Sequence, residues 1–471
     1  MEKKMKKVLS KISAERLEKV RAARAEMQEP YFVEAEKKLG KETADALREL
    51  FSIYNESIYI WLAGLWDPKI GGFYFSESGR DTEGLLPDIE STVQALACLS
   101  SNGMFGGKDF GEGVSENMRK KLGEFVCSLE DPEDGFFYHP QWGKAITISR
   151  RGRDLSWSIR LLEALGMKAP YPTVADRLRA AKNGNSDESG AKLPEHFTSP
   201  EKFKEYLEER DLSTRSYFVG NQLQAQQREL EAAGKEYIDV LMDWLYKHQR
   251  EDNGLWQEVV NYDSVNGLMK LGLIYANLGI AIPRAEKALE STITAAMSDQ
   301  EITFVCQFYN PLTTICNLLN SVGKVSGNER KEELRQVLIE KAPELIRKTR
   351  DKVLCCRSMT YDGVFRYQKY GDKSGGVSQG LAVGLRVHDD DVNGCSIAVN
   401  GVVPYICGML GLPKIPLFGE EDRKLFMELI ESAEQYPKIN EYPGDDYYYQ
   451  WDTPFAREIR ENMEKVKRGE L

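Results

Sequence analysis

Histidine is scarce in this chain, with four in 471 residues, and the eight cysteines never form a CxxC pair. A zinc site of clustered His and Cys is therefore not expected, and neither a metal nor a cofactor is implied. Basic charge is also short: 63 Lys and Arg stand against 74 Asp and Glu, for a net charge of −11. That balance argues against a nucleic-acid partner, which requires a basic face. No apolar run of the roughly 18 residues needed for a membrane span is expected. The opening "MEKKMKKVLSKISAERLEKVRAARAEM" is basic and partly amphipathic, but no apolar core follows it to make a secretion signal. With thiols scattered through apolar helical contexts, the expectation is a reduced, cytoplasmic protein.

What the chain does have is repetition. "GGF" at 71, "DGFF" at 134, "NGLW" at 253 and "DGVF" at 362 each follow an amphipathic stretch. The first interval is 63 residues, and the next two are near twice a period of about 55 to 60. Two degenerate copies fill the gaps, "STRSYFVGNQLQAQ" and "CQFYNPLTTICNLL" marking their second helices. Six helix pairs of this kind cannot bury their apolar faces singly and must stack on their neighbours. The expected fold is all-α, an (α/α)6 toroid over 43–415. Inner helices are expected at 88–101, 153–166, 213–231, 263–279, 304–320 and 390–411. Outer ones are expected at 43–66, 114–130, 172–183 with 199–210, 234–250, 283–298 and 329–355. Residues 1–42 form an N-terminal helical extension. Residues 416–471 form a helical and aromatic tail that packs on the toroid or makes a homodimer contact. The glycine of each turn supplies positive φ, and the aromatic behind it plugs the space under the hairpin.

"GGFYF…DIESTVQALACLSSNG" and "HQREDNGLWQEVVNYDSVNGLMKLGLIYANLG" resemble repeats of the terpenoid cyclase and protein prenyltransferase toroid superfamily. The resemblance spans about residues 43 to 415. It implies an architecture shared with several polysaccharide lyases and glycosidases, and it is specific for fold rather than chemistry.

In such a toroid the inner helices begin around one mouth of a central funnel. Ser91, Asp154, Ser213 and Asp263 are expected there as helix caps. Asn221, Asn266, Asn310 and Asn393, with Gln307, Arg153, Arg215 and Tyr217, exceed what capping needs. A funnel lined this way suits a polar ligand, and Arg151, Arg153, Arg215 and Lys270 could hold its carboxylate or phosphate. Trp256 and other loop aromatics offer rings for stacking on sugars.

"HDDD", residues 388–391, should lie beside Asp88 and Glu90 where the sixth inner helix closes on the first. Paired carboxylates are the equipment of glycoside cleavage. Asp390 is expected to face inward, with Asp389, Asp88, Glu90, His388 and Tyr262 as the other catalytic candidates and Asp391 capping or binding. The function read from this is acid/base cleavage of a glycosidic bond in a polar, anionic, uronate-type oligosaccharide, by hydrolysis or β-elimination. The same letters resemble the D-x-D-D motif of class II terpenoid cyclases, with His388 replacing the first aspartate. That resemblance implies Asp390 as the proton donor to an isoprenoid. A non-catalytic binding toroid is the third reading. Two loops, "GNSDESGAKLPEHFT" and "RYQKYGDKSGGVSQGLAVGLRV", are expected as a surface excursion and a flap over the mouth.

Overall fold

The computed structural model describes residues 12–106, 110–146, 148–173, 176, 195–369, 389–438 and 454–470. Their regular structure is helical, and extended segments meet only in isolated bridges. The principal helices are α1 (Ala14–Leu39), α2 (Lys41–Phe51), α3 (Ser57–Ala63), α4 (Glu77–Asp81), α5 (Ile89–Ser100) and α6 (Glu116–Ser128). They continue as α7 (Ile148–Ala164), α8 (Pro200–Glu208), α9 (Leu212–Ala225), α10 (Lys235–His248), α11 (Tyr262–Asn277) and α12 (Ala285–Met297). Last come α13 (Cys306–Leu354), α14 (Val392–Asn400), α15 (Val403–Met409), α16 (Glu420–Glu431) and α17 (Pro454–Lys467). Within α13, Gly327 has φ +88° and breaks the helix into two arms.

The four Gly-aromatic turns are one structure repeated. In each, the backbone closes across the glycine: Asp67 N to Gly72 O at 2.9 Å, Asp131 N to Phe136 O at 2.8 Å, Arg250 N to Leu255 O at 2.7 Å and Ser358 N to Val364 O at 2.8 Å. Two residues beyond each glycine comes a buried ring, Phe73, Phe137, Trp256 or Phe365. Gly71 has φ +89°, and a Cβ there would lie 2.3 Å from Lys121 O on α6. Its last counterpart, Gly363, has φ +83° and meets the Asn55 side chain, just ahead of α3. Each of these two positions excludes a side chain twice, by conformation and by space.

Most of the helices pack through one large apolar core. Neighbouring pairs are α5 with α7, α9 with α11, α11 with α13, α13 with α14 and α14 with α5. The second arm of α13 returns to α2, where Arg347 reaches Glu49 at 3.2 Å. Helix α1 lies along α2 and α16, joined by Arg24 to Glu56 at 3.3 Å and to Asp422. Helix α17 packs on the Gly143–Ala145 turn, with Ile459 against Trp142 and Ile146.

Val392–Met409 is an 18-residue stretch of mean hydropathy 1.3, contrary to the expectation that no such run exists. It is 72% buried and broken between α14 and α15, which makes it core. Asp391 caps its helix as expected, whereas the other caps differ from those expected. Asp88, Asp211, Asn261 and Asp391 receive the free backbone N–H groups, because each directly precedes its helix. Ser91, Asp154, Ser213 and Asp263 lie inside theirs. Residues 184–194 of the expected surface excursion and 370–387 of the expected flap lie outside the described residues.

Candidate active site

The three consecutive aspartates find three different partners. Asp391 caps α14, its Oδ1 accepting from Gly394 N at 2.6 Å and its Oδ2 from Tyr367 N at 2.7 Å. Asp390 Oδ2 accepts from Ser358 Oγ at 2.6 Å. Asp389 accepts from Ser76 Oγ at 3.2 Å and from Ser78 Oγ. The segment before α4 pairs with this run, Val392 N donating to Phe75 O at 3.0 Å.

Burial pushes Asp390 up to about 7, outweighing the Ser358 bond and the Arg366 charge, while the Asp389 and Glu77 charges add to the rise. Burial likewise pushes Asp391 up to about 7, against its two backbone N–H bonds. Glu77 is itself engaged, accepting from Tyr361 OH at 2.7 Å and from Arg80 Nη2 at 3.3 Å. His388 lies outside the described residues.

Asp88 and Glu90 belong to a second group, in which Asp88, Glu90, Arg150, Asp154 and His139 are buried and Arg153 is partly exposed. Asp88 accepts from Ser91 N at 2.9 Å and Ser91 Oγ at 2.6 Å. Arg150 pairs with Glu90, with Asp154 at 2.7 Å and with Asp88 at 3.7 Å. Arg153 reaches Glu90 at 3.3 Å and lays its guanidinium 4.7 Å from the Trp157 ring centre. His139 Nδ1 accepts from Gln141 N at 3.0 Å, so the neutral ring carries its proton on Nε2, 3.8 Å from Asp88. Burial, then the Arg150 charge, holds His139 well below its usual value. Burial also lifts Asp88 to about 6 and Asp154 to about 7, against the Arg150 charge.

A third group gathers between α7, α9, α11 and the start of α13. Helices α9 and α11 come together through two glycines: a Cβ on Gly220 would lie 2.8 Å from Lys270 Cβ, and one on Gly267 would lie 1.8 Å from Ser216 Oγ. That approach sets Lys270 beside Tyr217, its ammonium 5.6 Å from the ring centre and 3.5 Å from Gln224 Oε1. Cys306 opens α13 with its sulfur 3.4 Å from Tyr367 OH. Arg153, Tyr217, Lys270 and Cys306 are mutual electrostatic neighbours, and Tyr367 adjoins both Cys306 and Tyr217. Burial pushes the Cys306 thiol and the Tyr217 and Tyr367 phenols up, so all three are neutral at pH 7.

The remaining candidates are placed separately. Asn310 Nδ2 donates to Asn266 Oδ1 at 2.9 Å, and Gln307 Oε1 accepts from Thr303 N at 2.6 Å. Asn393 is fully buried with neither amide atom hydrogen-bonded among the described residues. Asn221 and Arg215 are exposed, Arg215 lying over the Phe218 ring at 4.6 Å. Trp256 is buried and donates to Leu245 O at 2.9 Å, as the plug of its turn. Tyr262 packs 5.2 Å from the Lys352 ammonium. The structure thus joins Asp389, Asp390 and Asp391, joins Asp88 with Glu90, and joins Arg153 with Tyr217.

Sequence reasoning passed over Glu77, Arg150, Cys306, Ser358, Tyr361 and Tyr367. A usable signal existed for Ser358, Tyr361 and Tyr367, which flank "DGVF", and for Glu77, which follows "GGF". Among the described residues no three His, Cys, Asp or Glu side chains gather as a metal cage. No family model, curated protein or solved structure matches this chain.

Proposed function

We propose that the helix pairs close into an (α/α)6 toroid and that the chain is an enzyme acting at its mouth. The reaction is acid/base cleavage of a glycosidic bond in a polar, anionic oligosaccharide. Closure is supported by the turns, which pack on successive parts of the chain, Gly71 on α6, Gly135 on Pro172 and Thr173, Gly254 on α12 and Gly363 on Asn55, and by α14 lying against α5. On this reading α5, α7, α9, α11, the first arm of α13 and α14 are the inner ring.

Asp390 carries the functional reading. It is a partly exposed carboxyl pushed up to about 7, with a second aspartate adjoining it and a third carboxylate nearby in Glu77. A carboxyl that is half protonated near neutrality can give its proton to a departing glycosidic oxygen. Asp389, fixed by Ser76 and Ser78, is oriented to take a proton from water in hydrolysis. In β-elimination Asp389 would take the C5 proton, the C4–O bond would break as the C4–C5 double bond forms, and the Asp390 proton would go to the leaving oxygen. Arg153, Lys270 and Tyr217 favour a polar substrate over the hydrocarbon of a cyclase, because Lys270 lies by the Tyr217 ring and the Arg153 charge bears on both.

Incubation with uronate-containing and neutral oligosaccharides tests this. New reducing ends indicate hydrolysis, and absorbance from an unsaturated uronate indicates a lyase. Binding without turnover by the wild type would leave a non-catalytic module. Stabilisation by isoprenoid diphosphates alone would make Asp390 a cyclase acid.

A further inference from the structure

We infer that Lys270 and Arg153 form a subsite for one singly charged substituent, the carboxylate of an acidic sugar, with Tyr217 as the platform for its ring. The inference rests on the oligosaccharide reading above and names the residues that would select the acid.

Lys270 is the key observation. Its stem is wedged between α9 and α11 at the Gly220 contact, and its half-buried ammonium faces a tyrosine ring and an amide oxygen. Among the described residues no carboxylate forms an ion pair with it. The charge that bears on it most is another cation, Arg153. Two like charges meeting in a partly desolvated space are unfavourable, and an anion between them relieves both.

The charge of that anion follows from the surroundings. Arg153 already shares Glu90 with Arg150, so its charge is largely answered on that side. Among the described residues Lys270 has no such answer, which leaves close to one positive charge for a ligand. Cys306 and Tyr367 on the adjoining wall are neutral, so they offer hydrogen bonds without competing negative charge. A carboxylate matches this balance, whereas a dianionic phosphomonoester would bring one charge too many. Tyr217 is 46% exposed and presents a face on which the apolar side of a sugar ring can lie.

The test is calorimetric titration of the full chain with uronate trisaccharides as free acids, the same sugars as methyl esters, and a glucose 6-phosphate-terminated trisaccharide. The free acid should bind wild type about tenfold or more tighter than its ester, as a charge-assisted contact implies. Lys270→Gln should bring acid and ester to within about threefold, and Lys270→Arg should restore most of the preference. Equal binding of acid and ester by wild type, or an undiminished preference in a folded Lys270→Gln, would overturn the subsite. Tighter binding of the phosphorylated sugar would overturn its single charge. Turnover by Asp390→Asn at the wild-type rate, with acid preference intact, would instead sink the catalytic reading and spare the subsite.

Discussion

The Tyr367 phenol stands 3.4 Å from the Cys306 sulfur, joining the segment before α14 to the first residue of α13. The backbone N–H of the same tyrosine is held by Asp391 at 2.7 Å. One residue therefore touches both the aspartate run and the group that contains Arg153 and Lys270. Tyr367 thus ties Asp391 to the group of Cys306 and Lys270.

If Asp390 is the proton donor, its protonated form is the active one. With the carboxyl pushed up to about 7, kcat/KM should fall as pH rises through about 7. Asp390→Asn should cost about 10²- to 10⁴-fold in rate and remove that limb of the profile. Initial rates between pH 5 and 9 on both proteins check this. An unchanged profile in the variant would move the acid elsewhere.

Asp391 should show up in stability. Its folded value lies above the unfolded one, so its contribution is fully present below the unfolded value near 3.8 and is lost as pH rises through about 7. Asn can still cap α14 but cannot titrate. Asp391→Asn should therefore flatten that part of the stability curve, while Asp391→Ala should cost about 1–2 kcal/mol by losing the cap. Urea unfolding at pH 5 and pH 8 distinguishes the two.

The turn glycines separate conformation from contact. Gly71 and Gly84 both have positive φ, but only Gly71 has backbone atoms where a Cβ would go. Gly84→Ala should cost about 1 kcal/mol, and Gly71→Ala at least about 2 kcal/mol more. Equal losses in chemical unfolding would show that the approach to Lys121 on α6 is not tight.

Arg150 holds together Glu90, Asp154 and Asp88 out of water. Arg150→Met should destabilise by about 3–5 kcal/mol, because it leaves buried carboxylates uncompensated. Adding Asp154→Asn should return part of that loss. Thermal unfolding of the single and double variants would expose the coupling, and strict additivity would argue against it.

The turns were legible because their chemistry is local. Gly71, Gly135, Gly254 and Gly363 are written as Gly-aromatic pairs, and the helices between them follow from apolar periodicity. Trp256 belonged to that same pattern. Its position two residues after Gly254 matches Phe73, Phe137 and Phe365, which marks a plug rather than a ligand contact. The site was less legible because its members meet only through packing between helices. Lys270 approaches Tyr217 because Gly220 and Gly267 draw α9 and α11 together, which neither helix states alone. Arg150, Arg151 and Arg153 look equivalent as letters. Helical phase puts Arg150 and Arg153, three residues apart, on the face of α7 that meets Glu90, and turns Arg151 aside over the Phe136 ring at 4.3 Å.

The most direct test is a discontinuous assay of wild type and Asp390→Asn against acidic oligosaccharides, reading reducing ends and unsaturated-uronate absorbance together. The account predicts cleavage by wild type, loss of it in Asp390→Asn, and closely similar melting temperatures for the two. Cleavage at equal rates by both, or no cleavage together with stabilisation only by isoprenoid diphosphates, would contradict it.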